Sequence, residues 1–161
     1  MALSAGEGRR LEPEVAVDDL VLGGQRYGPR GGAVATRLEI SRTAAGYALR
    51  LAFSAEVEGP CMRCLDQARV TVEVDAREVD QPSSADEELR SPYVGDERLD
   101  LSAWAHDALS LALPAQLLCR PDCRGLCPAC GASLNDADPP QHAHEAPADP
   151  RWAKLRELRL D

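Results

Sequence analysis

Two stretches with a strict two-residue alternation flank a Cys-x-x-Cys pair, and they limit the possible folds more than any other feature. Apolar residues recur at every second position, at Leu49, Leu51, Phe53, Ala55 and Val57, and again at Val70, Val72, Val74 and Ala76. This period is typical of β-strands with one buried face and one wet face. The pattern predicts an antiparallel sheet, open-barrel or sandwich-like, with Cys61 and Cys64 in the turn between two neighbouring strands.

A single amphipathic helix follows this predicted sheet. Residues 101–112 place Leu101, Trp104, Ala108 and Leu109 on one broad apolar face. Asp100 or Ser102 is a suitable N-cap, and Pro114 ends the helix. We expect the helix to pack on the sheet, which makes the fold class α+β.

The length of 161 residues fits one domain with loose ends. Residues 1–33 are rich in glycine and are expected to form a flexible N-terminal segment, in which Val15, Val17 and Leu20 could be a short strand or one turn of helix. Residues 34–135 form the β-rich core domain, in which the acidic stretch 80–98 is expected to be a mobile loop. Residues 136–161 are expected to form a mobile tail that ends in a short helix, starting at Asp149 and Pro150.

The net charge of -9 argues against a broad basic face for nucleic acid. The charge fits a protein that binds basic partners, such as ribosomal proteins, or one that only needs to stay soluble. No apolar run approaches the ~18 residues of a membrane span, and residues 1–20 lack an apolar stretch of signal-peptide length. We therefore expect a cytoplasmic protein without a membrane partner. In that compartment cysteines are more often metal ligands than disulfides.

Six cysteines carry the chemistry of the chain: Cys61, Cys64, Cys119, Cys123, Cys127 and Cys130. A two-residue gap lets two thiolates converge on one ion, and two such pairs give the closed four-sulfur site of structural zinc. Three ligand sets compete for one zinc ion per chain: the first and last pairs, the first pair with Cys119 and Cys123, or the last four cysteines alone. We favour a set that contains Cys61 and Cys64.

Other chemistries fit the sequence less well. A redox dithiol or an iron–sulfur cluster is compatible with Cys-x-x-Cys, but no βαβ context surrounds either pair. His142 and His144 fall in the predicted tail and are expected to be solvated, with metal ligation as the minor alternative; His106 on the polar helix face is expected to be exposed. No phosphate-binding loop, nucleophile elbow or His-Glu-x-x-His motif is present, so neither an enzyme nor a small-molecule substrate is expected.

Two motifs resemble the YceD family, also described as the large ribosomal RNA subunit accumulation protein family. Residues 59–65 read GPCMRCL and are similar to the family's C-x-R-C-L turn. Residues 119–135 read CRPDCRGLCPACGASLN, which resembles the signature C-x-x-D-C-x-G-L-C-P-x-C-G-x-x-L-N. Residues 149–152 and the spaced leucines after them look like the end of actinobacterial members. The resemblance covers roughly residues 35–160.

The resemblance implies a non-catalytic role in the accumulation or processing of 23S ribosomal RNA. It also implies a partner in the large subunit, a ribosomal protein or a pre-ribosomal particle, with rRNA contacted indirectly. Within the family it slightly favours Cys61, Cys64, Cys119 and Cys123 as the ligand set. The alternatives are a redox-sensing zinc protein and a zinc module that binds RNA directly.

Overall fold

The structure is a computed structural model that describes residues 3–96, 98–136, 142 and 144. Within these residues the chain forms a mainly antiparallel sheet and one α-helix. In chain order the elements are β1 (Gly8–Leu11), β2 (Glu14–Ala16), β3 (Leu20–Leu22), β4 (Gln25–Pro29), β5 (Ala33–Arg42), β6 (Tyr47–Pro60), β7 (Gln67–Asp80), a 3₁₀ turn (Glu87–Leu89), β8 (Val94–Gly95), β9 (Arg98–Leu99) and α1 (Leu101–Ala112).

Strand β6 is the centre of the main sheet. It pairs with β7 over its whole length, from Tyr47 opposite Asp80 to Pro60 opposite Gln67. Its other edge pairs with β5 in the first half and with β4 near the end. Strands β1 and β2 continue the sheet beyond β5, and β3 continues it beyond β4. The sheet is not closed, and its mostly antiparallel architecture with one helix confirms the predicted fold class.

The core lies between one face of this sheet and α1. The alternating residues of β6 and β7 turn inward as predicted, with Leu51 and Val57 fully buried. Helix α1 packs against β7 and β2 through Trp104, Ala105 and Leu109. Its N-cap is Asp100, whose carboxylate accepts the Ala103 N–H at 3.0 Å. The prediction of this helix and of its start is confirmed.

The N-terminal segment corrects an expectation, since residues 1–33 were expected to be flexible. Strands β1 to β4 lie within this segment and join the main sheet, and Val15, Leu20 and Tyr27 are buried in the core. The glycines that suggested a loose loop make a tight turn instead. Gly23 and Gly24 both have positive φ, as a two-residue hairpin connection between β3 and β4 requires. Strands β1 to β4 have three to five residues each, which is too few to show the alternation of apolar and polar residues in the sequence.

The acidic stretch 80–98 also differs from the predicted mobile loop. Its backbone folds back on itself, because the Gln81 N–H donates to the Leu89 carbonyl at 2.7 Å. Asp80 and Ser91 are buried, and the Tyr93 ring stacks on Trp104 with centroids 6.1 Å apart. The segment therefore packs against the core through Tyr93 and Val94.

The predicted tail at 136–161, with its closing helix, lies outside the described residues except for Asp136, His142 and His144. Among the described residues, no helix has the length and apolar character needed to cross a membrane.

Candidate metal centre

The turn between β6 and β7 presents the first cysteine pair. The Cys61 N–H donates to the Asp66 carbonyl at 2.6 Å, and the Leu65 N–H donates to the Cys61 carbonyl at 3.0 Å. Leu65 has a φ of 65°, a left-handed conformation that side chains rarely adopt. These constraints curl the turn so that both thiols face the same side. The sequence placed this pair in a turn between neighbouring strands, and the structure confirms it.

The second pair reaches this turn from the segment that follows α1. Leu117 is buried, and its carbonyl accepts the Met62 N–H at 2.9 Å. The Arg63 guanidinium donates to the Cys123 carbonyl at 3.0 Å and to the Gln116 side chain at 3.1 Å. The turn therefore holds the incoming backbone on both sides, which brings Cys119 and Cys123 next to Cys61 and Cys64.

The four sulfur atoms form a compact cluster, hereafter the four-cysteine group (Cys61, Cys64, Cys119 and Cys123). All of them lie within 4.8 Å of one another. The Cys61 and Cys123 sulfurs are 3.7 Å apart, and those of Cys64 and Cys119 are 3.5 Å apart. A tetrahedral zinc with Zn–S bonds of about 2.3 Å separates its sulfurs by about 3.8 Å. The distances exceed the ~2.05 Å of a disulfide, so the cysteines are free thiols with the spacing of metal ligands.

Burial makes the four-cysteine group a closed site. Cys61 and Cys123 are 0% and 1% exposed, Cys64 is buried, and Cys119 is half-buried. Four sulfurs around one ion would leave no ligand position for water or substrate. The Asn135 amide donates to the Cys123 sulfur at 3.6 Å, a contact that favours a thiolate over a thiol. The donor set therefore fits a structural zinc rather than a catalytic one.

The thiols of the group differ in acidity. Burial opposes ionisation of Cys61, but the N–H groups of Cys64, Arg63 and Cys119 lower the pKa of Cys61 to about 6. Burial raises the pKa of Cys64 well above its usual range, and its thiol lies 3.2 Å from the Asp66 carboxylate. Burial also raises the pKa of Cys119. All four sulfurs could be thiolates at once only with a cation among them to offset their charge.

Cys127 and Cys130 do not join this group. Their sulfurs lie next to ring nitrogens of His142 and His144, and these four possible ligand atoms are also within 4.8 Å of one another. The N–H groups of Ala129 and Cys130 lower the pKa of Cys127 to about 6. The described residues thus contain two groups that can hold a metal ion, where the sequence analysis expected one zinc.

The histidines are the residues that sequence reasoning missed. They were expected to be solvated, but the structure brings both rings to the last cysteine pair. The signal available was the His-x-His spacing that follows a Cys-x-x-Cys turn. Of the three ligand sets weighed, the structure brings together only the one that combines the first pair with Cys119 and Cys123; that any of the six cysteines binds metal stays a prediction.

Comparison with known proteins places the chain in a family. The profile described as "Large ribosomal RNA subunit accumulation protein YceD" matches residues 49–159. The chain belongs to the YceD family. The match begins inside β6 and includes all six cysteines and both histidines of the two groups, whereas β1 to β5 precede it.

The relatives of this YceD family member cover it to different extents. An uncharacterised protein of Mycobacterium tuberculosis is 42% identical over 126 residues, which are 75% of this chain and 59% of that protein. An uncharacterised protein of Mycobacterium leprae is 38% identical over 103 residues, 61% of this chain and 46% of that protein. The chain thus spans less than two thirds of these curated relatives.

A plant protein carries a descriptive name. The chloroplastic "Large ribosomal RNA subunit accumulation protein YCED homolog 1" of Zea mays is 37% identical over 60 residues, which are 37% of this chain and 20% of that protein. No solved structure matches the chain.

Proposed function

We propose that this chain is a non-catalytic ribosome biogenesis factor, needed for the accumulation or processing of 23S ribosomal RNA. The observation that carries the proposal is the family match over residues 49–159, since the family is described by large ribosomal RNA subunit accumulation. The name of the maize relative points the same way.

In this proposal a zinc ion at the four-cysteine group has a structural role. Two ligands come from the β6–β7 turn and two from the segment after α1, so one ion joins parts of the chain that are about 60 residues apart. A closed sulfur site of this kind contributes folding energy and leaves no position for a substrate. The ion fixes the segment from Leu117 to Asn135 against the end of the sheet.

The charge distribution supports a basic partner in the cytoplasm, a large-subunit ribosomal protein or a pre-ribosomal particle. The net charge is -9. On the open face of the sheet, Arg50 pairs with Asp75 at 2.8 Å, and Arg69 and Arg30 pair with Glu58 at 3.1 and 3.6 Å. The paired carboxylates lower the local positive potential that would attract phosphates. The proposal therefore has the chain reach rRNA indirectly, through protein.

Depletion and complementation in the source organism test the role directly. We expect depletion to lower 23S rRNA relative to 16S rRNA, and the wild-type chain to restore the ratio. The C61S/C64S variant should fail to restore it. The H106A variant, which changes a residue outside both metal groups, should succeed. An unchanged ratio after depletion would contradict the proposal.

A pull-down separates protein contact from RNA contact. The tagged chain should recover large-subunit proteins, and the recovery should survive ribonuclease treatment. Loss of all large-subunit components on ribonuclease treatment, with direct RNA affinity that falls steeply with salt, would instead favour an RNA-binding zinc module.

A further inference from the structure

The last cysteine pair lies in a turn that repeats the backbone geometry of the first. The Cys127 N–H donates to the Ala132 carbonyl at 2.8 Å, and the Gly131 N–H donates to the Cys127 carbonyl at 2.8 Å. The β6–β7 turn makes the same two hydrogen bonds. The Cys61 N–H donates to the carbonyl of the fifth residue after it, and the N–H of the fourth residue donates to the Cys61 carbonyl. The fourth residue has a left-handed φ in both turns, 65° at Leu65 and 73° at Gly131.

The resemblance extends to the sulfur atoms. In the first turn the Arg63 N–H, two residues after Cys61, donates to the Cys61 sulfur at 3.5 Å. In the second turn the Ala129 N–H occupies the same position after Cys127, on a backbone closed by the same two hydrogen bonds. Backbone donors aimed at a sulfur stabilise it as a metal-bound thiolate. The second turn is therefore built as a two-thiolate metal clamp in the same way as the first.

Two imidazoles lie at the second turn, so that two sulfurs and two ring nitrogens could serve as ligands. The Cys130 sulfur and the His142 Nε2 are 3.5 Å apart. Zinc with bonds of about 2.3 Å to sulfur and about 2.05 Å to nitrogen separates such a pair by about 3.6 Å in a tetrahedron. The rings of His142 and His144 meet edge to face, with centroids 4.8 Å apart, so their nitrogens converge without stacking.

Backbone contacts hold the chain around this clamp in place. Leu126 and Ser133 form an antiparallel bridge across the base of the turn, and the Leu134 N–H donates to the Gly125 carbonyl at 2.8 Å. Gly125 lies against the backbone of Arg63 in the first turn, because an added Cβ there would be 3.1 Å from the Arg63 carbonyl oxygen. The two clamps are neighbours that share no ligand.

We propose that Cys127, Cys130, His142 and His144 bind a second zinc ion, so that each chain carries two. This site differs from the four-cysteine group in exposure: Cys130 and His144 are exposed, and only Cys127 is buried. The second ion is therefore the more exchangeable of the two, and it ties the chain near His142 back to the cysteine turn. This inference does not depend on the ribosomal role.

Zinc stoichiometry by native mass spectrometry and elemental analysis tests the proposal on the full chain, after incubation with zinc and removal of the excess. Wild-type protein should hold two zinc ions. The C127S/C130S and H142A/H144A variants should each hold one, and the H106A control should hold two. One zinc in the wild type that H142A/H144A retains, or two in H142A/H144A, would overturn the proposal.

Cobalt(II) substitution checks the ligand type. The wild-type spectrum should contain a four-thiolate component and a mixed thiolate–imidazole component, and H142A/H144A should lose only the mixed one. The histidine variant leaves both cysteine turns intact, so it stays informative even if C127S/C130S folds poorly. A spectrum that is the same for the wild type and H142A/H144A would contradict the assignment. Failure of the 23S rRNA test with two zinc ions bound would refute the proposed function and leave this site in place.

Discussion

The two cysteine turns have the same backbone and opposite surroundings. The first closes the longest hairpin of the sheet and packs its sulfurs against Ala68 and Cys123 in a small buried cluster. The second is held by local backbone contacts, among them the bridge between Leu126 and Ser133, and it leaves Cys130 exposed. The difference shows that the clamp is a local structure, whereas its role depends on what the rest of the chain places around it. A buried clamp can hold a fold together, and an exposed one can hold only its own segment.

Removal of the first clamp should have the largest effect. We expect C61S/C64S to lose the zinc of the four-cysteine group and to lower the free energy of unfolding by about 5 kcal/mol or more, because a structural metal contributes its binding energy to folding. Thermal unfolding followed by circular dichroism measures this. C127S/C130S is the matched control and should keep a cooperative transition. Equal losses in the two variants would remove the distinction between the clamps.

Leu117→Ala should be the next largest change. This side chain is 1% exposed and belongs to the segment that docks on the first turn. Truncation of a buried leucine costs about 2–5 kcal/mol, and here it should also weaken zinc at the four-cysteine group. Zinc at the second site should be unchanged.

The same substitution at Leu111, which is 89% exposed, serves as the control and should change stability by less than about 0.5 kcal/mol. An equal loss of zinc affinity at both sites in Leu117→Ala would contradict the claim that only the four-cysteine group depends on packing against the core.

The periodic parts of this fold could be predicted from the sequence. Strands β6 and β7 and helix α1 are each at least 12 residues long, so their periods of 2 and 3.6 are readable, and Asp100 marks the helix start. The turn at Cys61 follows from the two strands it joins. Strands β1 to β4 could not be predicted in this way. Three to five residues are too few to show an alternation, and β1, β2 and β4 pair with β5 or β6, which come later in the chain.

The ligand sets depend on contacts between distant parts of the chain. Cys119 and Cys123 meet Cys61 because the backbone at Leu117 bonds to Met62, a contact that no local pattern encodes. The spacing alone allowed three sets. His142 and His144 lie in a polar stretch without periodicity, so their His-x-His spacing alone did not show that both rings lie at the last cysteine pair.

Chelator kinetics sharpen the contrast in exposure. With excess chelator and a chromophoric zinc indicator, we expect one zinc equivalent to leave wild-type protein in a fast phase and one in a slow phase. The fast phase should disappear in H142A/H144A, because the exposed ligands at the second site let the chelator reach the ion. A single slow phase of two equivalents would mean that both ions are equally protected.

Substitution of the residue with left-handed φ in each turn should have the smallest effect. Gly131→Ala forces a Cβ into a left-handed conformation at a cost of about 1–2 kcal/mol, so zinc affinity at the second site should fall by roughly fivefold or more. Leu65→Gly relieves that strain in the first turn but adds freedom to the unfolded chain, so stability should change by less than about 1 kcal/mol. Competition with an indicator and chemical denaturation measure the two effects. If Gly131→Ala left the affinity unchanged, the shared turn geometry would not matter for binding.

The central claim is that the buried clamp at the end of the β6–β7 hairpin is a four-sulfur zinc site. Zinc K-edge X-ray absorption on the H142A/H144A variant tests it most directly, since that variant should retain only this site. We predict four sulfur scatterers at about 2.3 Å and no nitrogen in the first coordination shell. Absence of bound zinc, or a shell that contains nitrogen or oxygen, would contradict the account.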